Sequence, residues 1–238
     1  MDKNKVDYGP MEFATRAIKY GEGPDPVTHA LNTPIYETTT YAYSETDEYD
    51  RMIGDAMAWK PGCRIYSRTT NPTTSAMEEK VASLENAEDA CVVSCGMAAV
   101  SLALNAGDHV ICSDDTFVCT ASLFEDILPS KGIETDRVEI LDLENIRKAM
   151  KPNTKVIYLE ALSNPLLKLA DLPAIAALAH EHGCKFIVDN TFLSPFIMRP
   201  LDHGADIVLH SGTKYYVGHG DALCGIVAGK KEDMDRIR

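Results

Sequence analysis

The sequence lacks the features that mark several broad classes of protein. Its 23 Lys and Arg residues stand against 36 Asp and Glu residues, a net charge of −13, and the positive charges form no stripe. Because nucleic acids and anionic membranes are bound by clustered positive charge, we expect neither as a partner. No apolar run approaches the roughly 20 residues of a membrane span. The first residues, MDKNKVDYGP, also lack the apolar stretch of a signal peptide.

The seven cysteines do not form a pattern typical of a metal site or a disulfide framework. No CxxC pair occurs, so we predict no zinc site. Most of the cysteines lie in apolar or small-residue stretches, as reduced core cysteines do. We therefore expect free thiols, no bound metal and a cytoplasmic location.

The composition changes along the chain and predicts two regions. Residues 1–60 are rich in Tyr, Thr and Pro and poor in apolar runs, so we predict an extended N-terminal arm. The arm is expected to contain short helices, one of them near 46–60, and to pack on another subunit. Residues 61–238 form the second region, in which short apolar runs alternate with helical patterns.

That alternation predicts the fold class. Helices are expected from Pro72, capped by Asn71, and at 96–104, 118–128, 143–150 and 172–182. Seven apolar runs are predicted as strands: 90–93, 109–112, 137–140, 155–159, 185–188, 206–209 and 223–228. Most are apolar on both faces, so we predict an α/β fold with a mostly parallel seven-stranded sheet covered by helices on both faces.

Ligands of such sheets bind beyond the carboxyl ends of the strands, where this sequence places clusters of polar residues. The clusters after predicted strands are 94–97, 189–191 and 210–214, and a fourth lies in the loop at 66–68. Each has an ordinary structural explanation: a tight turn, a helix cap, a surface lysine or an exposed loop arginine. Their joint occurrence points instead to a shared ligand site.

The chemistry of the four clusters is that of a pyridoxal 5'-phosphate (PLP) site. Lys214 could form a Schiff base with the cofactor aldehyde. Asp189 could keep the pyridine nitrogen protonated, which makes the ring an electron sink. Amides at the helix start near Gly96 suit a phosphate, as does Arg68.

Five motifs then occur in a specific order between about residue 25 and the end of the chain. They are YSRTTNPT at 66–73, SCGM at 94–97, EALSNP at 160–165, VDNTF at 188–192 and DIVLHSGTKYYVGHG at 206–220. In these motifs the chain resembles the Cys/Met-metabolism PLP enzymes. That family includes cystathionine gamma-synthase, cystathionine gamma- and beta-lyases, methionine gamma-lyase and O-acetylhomoserine sulfhydrylase.

The resemblance implies the large domain of a fold type I PLP enzyme and a role for each motif residue. Lys214 would carry the cofactor and move protons, and Asp189 would pair with the ring nitrogen. Tyr66 and Arg68 would reach the phosphate of a neighbouring subunit, because the family is usually a dimer of dimers with shared active sites. Phe117 would stack on the ring and Asn164 would lie near the ring hydroxyl. The remaining implied cofactor contacts are Gly96, Met97, Thr191, Ser211 and Thr213.

Two departures from the family pattern bear on the reaction. Phe117 stands where the family typically has a tyrosine whose hydroxyl assists the leaving group, and Cys119 aligns with a cysteine of methionine gamma-lyases or is simply a small helix-start residue. We also expect the C-terminal small domain, which supplies an arginine for the substrate carboxylate, to be absent. Arg236 and Arg238 are too close to Lys214 in sequence to be assumed substitutes.

The sequence therefore predicts a PLP-dependent C–S lyase or gamma-replacement enzyme acting on a small amino-acid substrate, of methionine gamma-lyase or cystathionine gamma-lyase or synthase type. Two alternatives stay open: a fold type I lyase for a non-sulfur amino acid, and a truncated PLP-binding fragment without activity. A NAD-binding Rossmann domain fits the alternation, but no GxGxxG follows the first predicted strand.

Overall fold

The computed structural model describes residues 11–25, 27–58, 60, 62–105 and 108–238. The chain divides into two compact units, one reaching to Ser83 and including Arg238, the other Leu84–Ile237. The division at residue 60 that the composition suggests stays a prediction. Every helix in the described ranges is too short or too polar to cross a membrane.

Within its described residues, the first unit contains two helices and most of a third. They are α1 (Phe13–Lys19), α2 (Thr46–Met57) and α3 (Pro72–Glu85). Helix α3 begins where the sequence predicts. The Asn71 side chain accepts a hydrogen bond from the Thr73 amide (2.9 Å), and Pro72 has no amide hydrogen that would need an acceptor. Helix α2 matches the short helix predicted in the arm.

The second unit is built on a seven-stranded sheet in the order β1-β7-β6-β5-β4-β2-β3. Strand β7 is antiparallel to both of its neighbours, and all other neighbours are parallel. The predicted α/β fold with a mostly parallel sheet is therefore confirmed. The strands are β1 (Asp89–Val93), β2 (His109–Ser113), β3 (Glu134–Val138), β4 (Thr154–Glu160), β5 (Lys185–Asp189), β6 (Ile207–Ser211) and β7 (Gly225–Gly229).

The helices of the second unit are α4 (Gly96–Leu102), α5 (Val118–Ser122), α6 (Leu143–Ala149), α7 (Leu172–Glu181), α8 (Ser194–Ile197) and α9 (Lys231–Ile237). The segment predicted as one helix at 118–128 is α5 followed by a π-helical turn, Leu123–Ile127, and a 3-10 turn, Leu128–Lys131. Helices α8 and α9 were not predicted. Strand β3 lies three residues before its predicted start because it is an edge strand, whose polar residues give no apolar run.

Two hydrophobic cores cover the two faces of the sheet. Side chains alternate along each strand, so Tyr158 of β4 faces one core and its neighbours Ile157 and Leu159 face the other. Tyr158 packs edge-on against Phe124, with the ring centroids 5.3 Å apart. Helices α4 and α9 contribute to this first core, and α6 and α7 to the second, which confirms the predicted cover on both faces.

Candidate active site

Six of the seven strands end at one edge of the sheet. Because β7 alone runs in the opposite direction, the carboxyl ends of β1, β2, β3, β4, β5 and β6 share that edge. The predicted site residues of the second unit follow these ends. They are Gly96 and Met97 after β1, Phe117 after β2, Asn164 after β4, Asp189 and Thr191 at the end of β5, and Ser211, Thr213 and Lys214 at the end of β6.

Hydrogen bonds connect the ends of β5 and β6. Asp189 Oδ1 accepts from the Thr191 amide (2.9 Å) and the Thr191 hydroxyl (2.5 Å). The same Thr191 hydroxyl oxygen accepts from the Ser211 amide (2.8 Å). The amide and hydroxyl of Thr191 therefore orient the Asp189 carboxylate, and the Ser211 amide at the end of β6 holds that hydroxyl in place.

Gly96 allows helix α4 to begin directly against β6. A Cβ atom at this position would lie 3.0 Å from Cβ of Ser211 and 3.1 Å from its Cα. A side chain at position 96 would therefore push these two segments a few tenths of an ångström apart, so glycine permits their close approach. The next residue, Met97, connects this helix to α5 through a contact of its sulfur with the Thr120 hydroxyl (3.8 Å).

Lys214 lies on a tight turn that leaves β6. Its amide donates to the Ser211 carbonyl (3.0 Å), and its carbonyl accepts from the Gly218 amide (2.8 Å). The side chain is exposed, and within the described part of the chain its ammonium forms no ion pair. Thr213 stabilises the turn, because its hydroxyl donates to the Cys224 carbonyl and accepts from the Cys224 amide, both at 3.2 Å. The turn is thus fixed while the amine stays accessible.

A buried polar cluster lies directly beside this turn and was not predicted from the sequence. His210 Nε2 is 2.5 Å from Glu85 Oε1, and both side chains are almost fully buried. The Tyr216 hydroxyl donates to the same oxygen (3.4 Å), and its ring meets the His210 ring edge-on at 5.1 Å. Burial, and then the Glu85 charge, raise the pKa of Tyr216. The signal that could have found the cluster is a histidine at the end of the apolar run IVL.

Glu160 joins two loops of the site and was likewise missed as a site residue. Its carboxylate accepts from the Phe117 amide (2.6 Å) and the Asn164 amide (3.0 Å). Burial raises its pKa to about 7, against the effect of the Phe117 amide and with a further rise from the Asp189 charge. A charged residue at the end of the buried run VIYL was the available signal.

Tyr158, on the neighbouring strand β4, contacts the second oxygen of the Asp189 carboxylate. Its ring is fully buried, and its hydroxyl donates to Asp189 Oδ2 over 3.5 Å. Burial raises the pKa of Tyr158 well above its ordinary value, so the hydroxyl stays protonated and acts as a donor. Both oxygens of Asp189 therefore face donors.

The first unit holds Tyr66 and Arg68, which the sequence assigns to a phosphate. The Arg68 guanidinium lies over the Tyr66 ring, 4.8 Å from its centroid, and the ring is 39% exposed. Cys119, in helix α5 of the second unit, is exposed and has a free thiol.

Comparisons with known proteins extend over almost the whole chain. A profile of the Cys/Met metabolism PLP-dependent enzymes matches residues 14–238. L-methionine gamma-lyase of Treponema denticola is 42% identical over 99% of this chain, and a protein of Herpetosiphon aurantiacus named "Probable cystathionine gamma-synthase" is 45% identical over 96%. The chain spans 59% and 68% of the lengths of these two relatives.

A crystal structure of another protein also matches most of this chain. It is that of a Campylobacter jejuni protein provisionally described as an O-acetylhomoserine (thiol)-lyase, and it contains N'-pyridoxyl-lysine-5'-monophosphate. It superposes on 95% of this chain and 56% of its own with a TM-score of 0.87 and 32% sequence identity. The fold, the ordered motifs and these matches agree, and the chain belongs to the Cys/Met metabolism family of PLP-dependent enzymes.

Proposed function

We propose that this chain binds PLP through Lys214 and is the large-domain part of an enzyme of sulfur amino-acid metabolism. The reaction proposed is C–S lysis or gamma-replacement, of methionine gamma-lyase or cystathionine gamma-lyase or synthase type. The observation that carries the proposal is an exposed lysine amine on a fixed turn, at the sheet edge that also holds the oriented carboxylate of Asp189. The lysine-linked cofactor in the Campylobacter jejuni relative supports it.

The residues at this edge fit the cofactor. The start of α4 lies close to the end of β6, because a Cβ on residue 96 would be only 3.0 Å from Cβ of Ser211. We propose that Gly96, Met97, Ser211 and Thr213 hold the phosphate. Asp189, oriented by Thr191, would hold the ring nitrogen, Phe117 would cover one face of the ring, and Asn164 would contact the ring hydroxyl.

PLP, when bound, supplies the electron sink that stabilises a carbanion at the substrate α-carbon. The chain's own residues would prepare and complete that chemistry. Asp189, oriented by Thr191 and Tyr158, would pair with the ring nitrogen. Lys214 would remove the α-proton of the bound amino acid and return it later in the reaction.

We also propose that the complete site is shared between subunits of a homo-oligomer, a dimer of dimers. Tyr66 and Arg68, stacked on each other in the first unit, would reach the phosphate of a neighbouring subunit. Residues 1–60 would act as the arm that packs on that neighbour, and residues 61–238 as the large domain. The free thiols support a cytoplasmic location.

A second candidate reaction follows from Phe117, which lacks the hydroxyl of the family tyrosine. It is that of a fold type I lyase for a non-sulfur amino acid. A separate alternative is a fragment that binds PLP without turnover. Assays with methionine, cystathionine and O-acylhomoserine separate these. Turnover of one of them supports the main proposal, and bound cofactor without turnover of any supports an alternative.

The test of cofactor binding is the visible absorbance of the purified chain after incubation with PLP and removal of the free cofactor. We expect a band from lysine-bound cofactor in the native chain and in Lys131→Ala, which removes another exposed lysine. Lys214→Ala should lose the band. A native chain without the band, or an unchanged band in Lys214→Ala, would overturn the proposal.

A further inference from the structure

Glu160 occupies an unusual position between two loops of the candidate site. It is the last residue of β4 and only 8% exposed. Its Oε1 accepts from the amide of Phe117, in the loop after β2, and its Oε2 from the amide of Asn164, in the loop after β4 itself. One carboxylate therefore sets how far these two loops stand from each other.

These two amides are the main groups that stabilise a negative charge on Glu160. Within the described residues no Lys or Arg forms an ion pair with it, and Lys168, the cation of its own loop, pairs with Asp115 instead. Across the sheet, β5 presents Asp189, whose Cα is in register with that of Glu160. The other titratable groups nearby, Tyr158 and Cys112, have raised pKa values and are neutral.

This environment disfavours the charged carboxylate. Burial is the largest cause of a rise in the pKa of Glu160 to about 7, and the charges of Asp189 and Asp115 add to it. The Phe117 and Asn164 amides act in the opposite direction. A buried acid of this kind is retained at a cost in stability, which favours a role in positioning rather than in general support of the fold.

We propose that Glu160 is a positioning residue that sets the separation of Phe117 and Asn164 and thereby orients the cofactor ring between them. The inference rests on the proposed PLP site. Glu160 acts through the two loops and does not itself touch the reacting atoms.

The first test compares two variants that make the same chemical change. Glu139 also accepts two backbone amides through its two carboxylate oxygens, from Leu141 and Asp142 at 3.2 Å each, outside the residues assigned to the cofactor. In Glu160→Gln the side-chain NH2 group faces one of the two backbone N–H donors and cannot accept its hydrogen bond. We therefore expect the Kd for PLP to rise about tenfold. The circular dichroism of the bound cofactor, per molecule bound, should change as well. In Glu139→Gln both quantities should stay as in the native chain.

Equal Kd values and equal cofactor dichroism in the two variants would overturn the inference. A second measurement covers the case in which Glu160→Gln does not fold, and it needs no cofactor. Hydrogen exchange of the native chain, corrected for intrinsic rates, should show the Phe117 and Asn164 amides gaining roughly tenfold protection between pH 6 and 8 as the carboxylate ionises. The Leu141 amide should show no such gain.

Flat protection at Phe117 and Asn164 over that range would also overturn the inference. The two proposals fail differently. A native chain that never binds PLP contradicts the proposed function, while the exchange measurement still shows whether Glu160 controls the two loops.

Discussion

Phe117 is the residue at which the proposed chemistry departs most from the family pattern. Its ring is 40% exposed at the start of α5, and its amide is held by Glu160. A phenylalanine can stack on a ring as a tyrosine does, which is worth about 1 kcal/mol, but it cannot donate or accept a proton. In the proposed site the residue would therefore preserve cofactor binding and weaken acid–base assistance.

Restoring the hydroxyl should increase the rate of elimination. We expect Phe117→Tyr to raise kcat for methionine or cystathionine by about 10²-fold, the lower end of what a positioned acid–base group contributes. The Kd for PLP should change little. Phe192→Tyr, which adds a hydroxyl to another partly exposed ring at this edge, is the control and should leave kcat unchanged. Equal rates in the native chain and Phe117→Tyr would show that another group assists the leaving group.

At the scale of elements, the buried contact between Glu85 and His210 joins the end of helix α3 to strand β6. The pair lies next to the turn that carries Lys214, and Tyr216 of that turn donates to the same carboxylate. Glu85 Oε2 is buried without a hydrogen-bond partner within the described residues. The pair therefore fixes the turn at an electrostatic cost that is balanced only while both partners are present.

Removing one partner should be strongly destabilising. We expect Glu85→Ala to lower the free energy of unfolding by about 3 kcal/mol, because His210 and the Tyr216 hydroxyl lose their buried acceptor. Urea denaturation followed by circular dichroism measures this loss. Glu88→Ala, an exposed glutamate that accepts the Lys231 amide (3.0 Å), should lose less than about 1 kcal/mol. Similar losses in both variants would contradict a special role for the buried pair.

At the scale of the whole molecule, the raised pKa of Glu160 links stability to pH. The pKa rises from 4.5 to about 7 on folding, so the folded state holds a proton that the unfolded state releases. The stabilisation from this group is complete below the unfolded pKa and is lost as the pH rises through the folded value.

The native chain should therefore lose stability relative to Glu160→Gln as the pH rises from about 4.5 to about 7. The change in the difference between their unfolding free energies should approach about 3 kcal/mol, since one pKa unit corresponds to about 1.4 kcal/mol. Urea denaturation at a series of pH values measures it. A difference that does not vary with pH, or one that changes in the opposite direction, would show that folding does not raise the pKa of Glu160.

The sequence by itself determined the fold class and most of the sheet. Six of the seven strands begin within about two residues of their apolar runs, because a parallel strand buried on both faces must be apolar throughout. The edge strand β3 and the short helices α8 and α9 gave no comparable signal, since little of their surface enters a core. The sequence also indicated Lys214 and Asp189, because polar residues after buried strands fall at one edge.

Tertiary structure alone decided which side chains meet at that edge. Glu160 and Phe117 are 43 positions apart, and Glu85 and His210 are 125 apart, so no local pattern predicts their contacts. The position of Gly96 against Ser211 likewise depends on strand order, which places β6 near the start of α4. Composition and periodicity report what each segment buries, whereas the partners of a buried charge are set only when the strands take their places in the sheet.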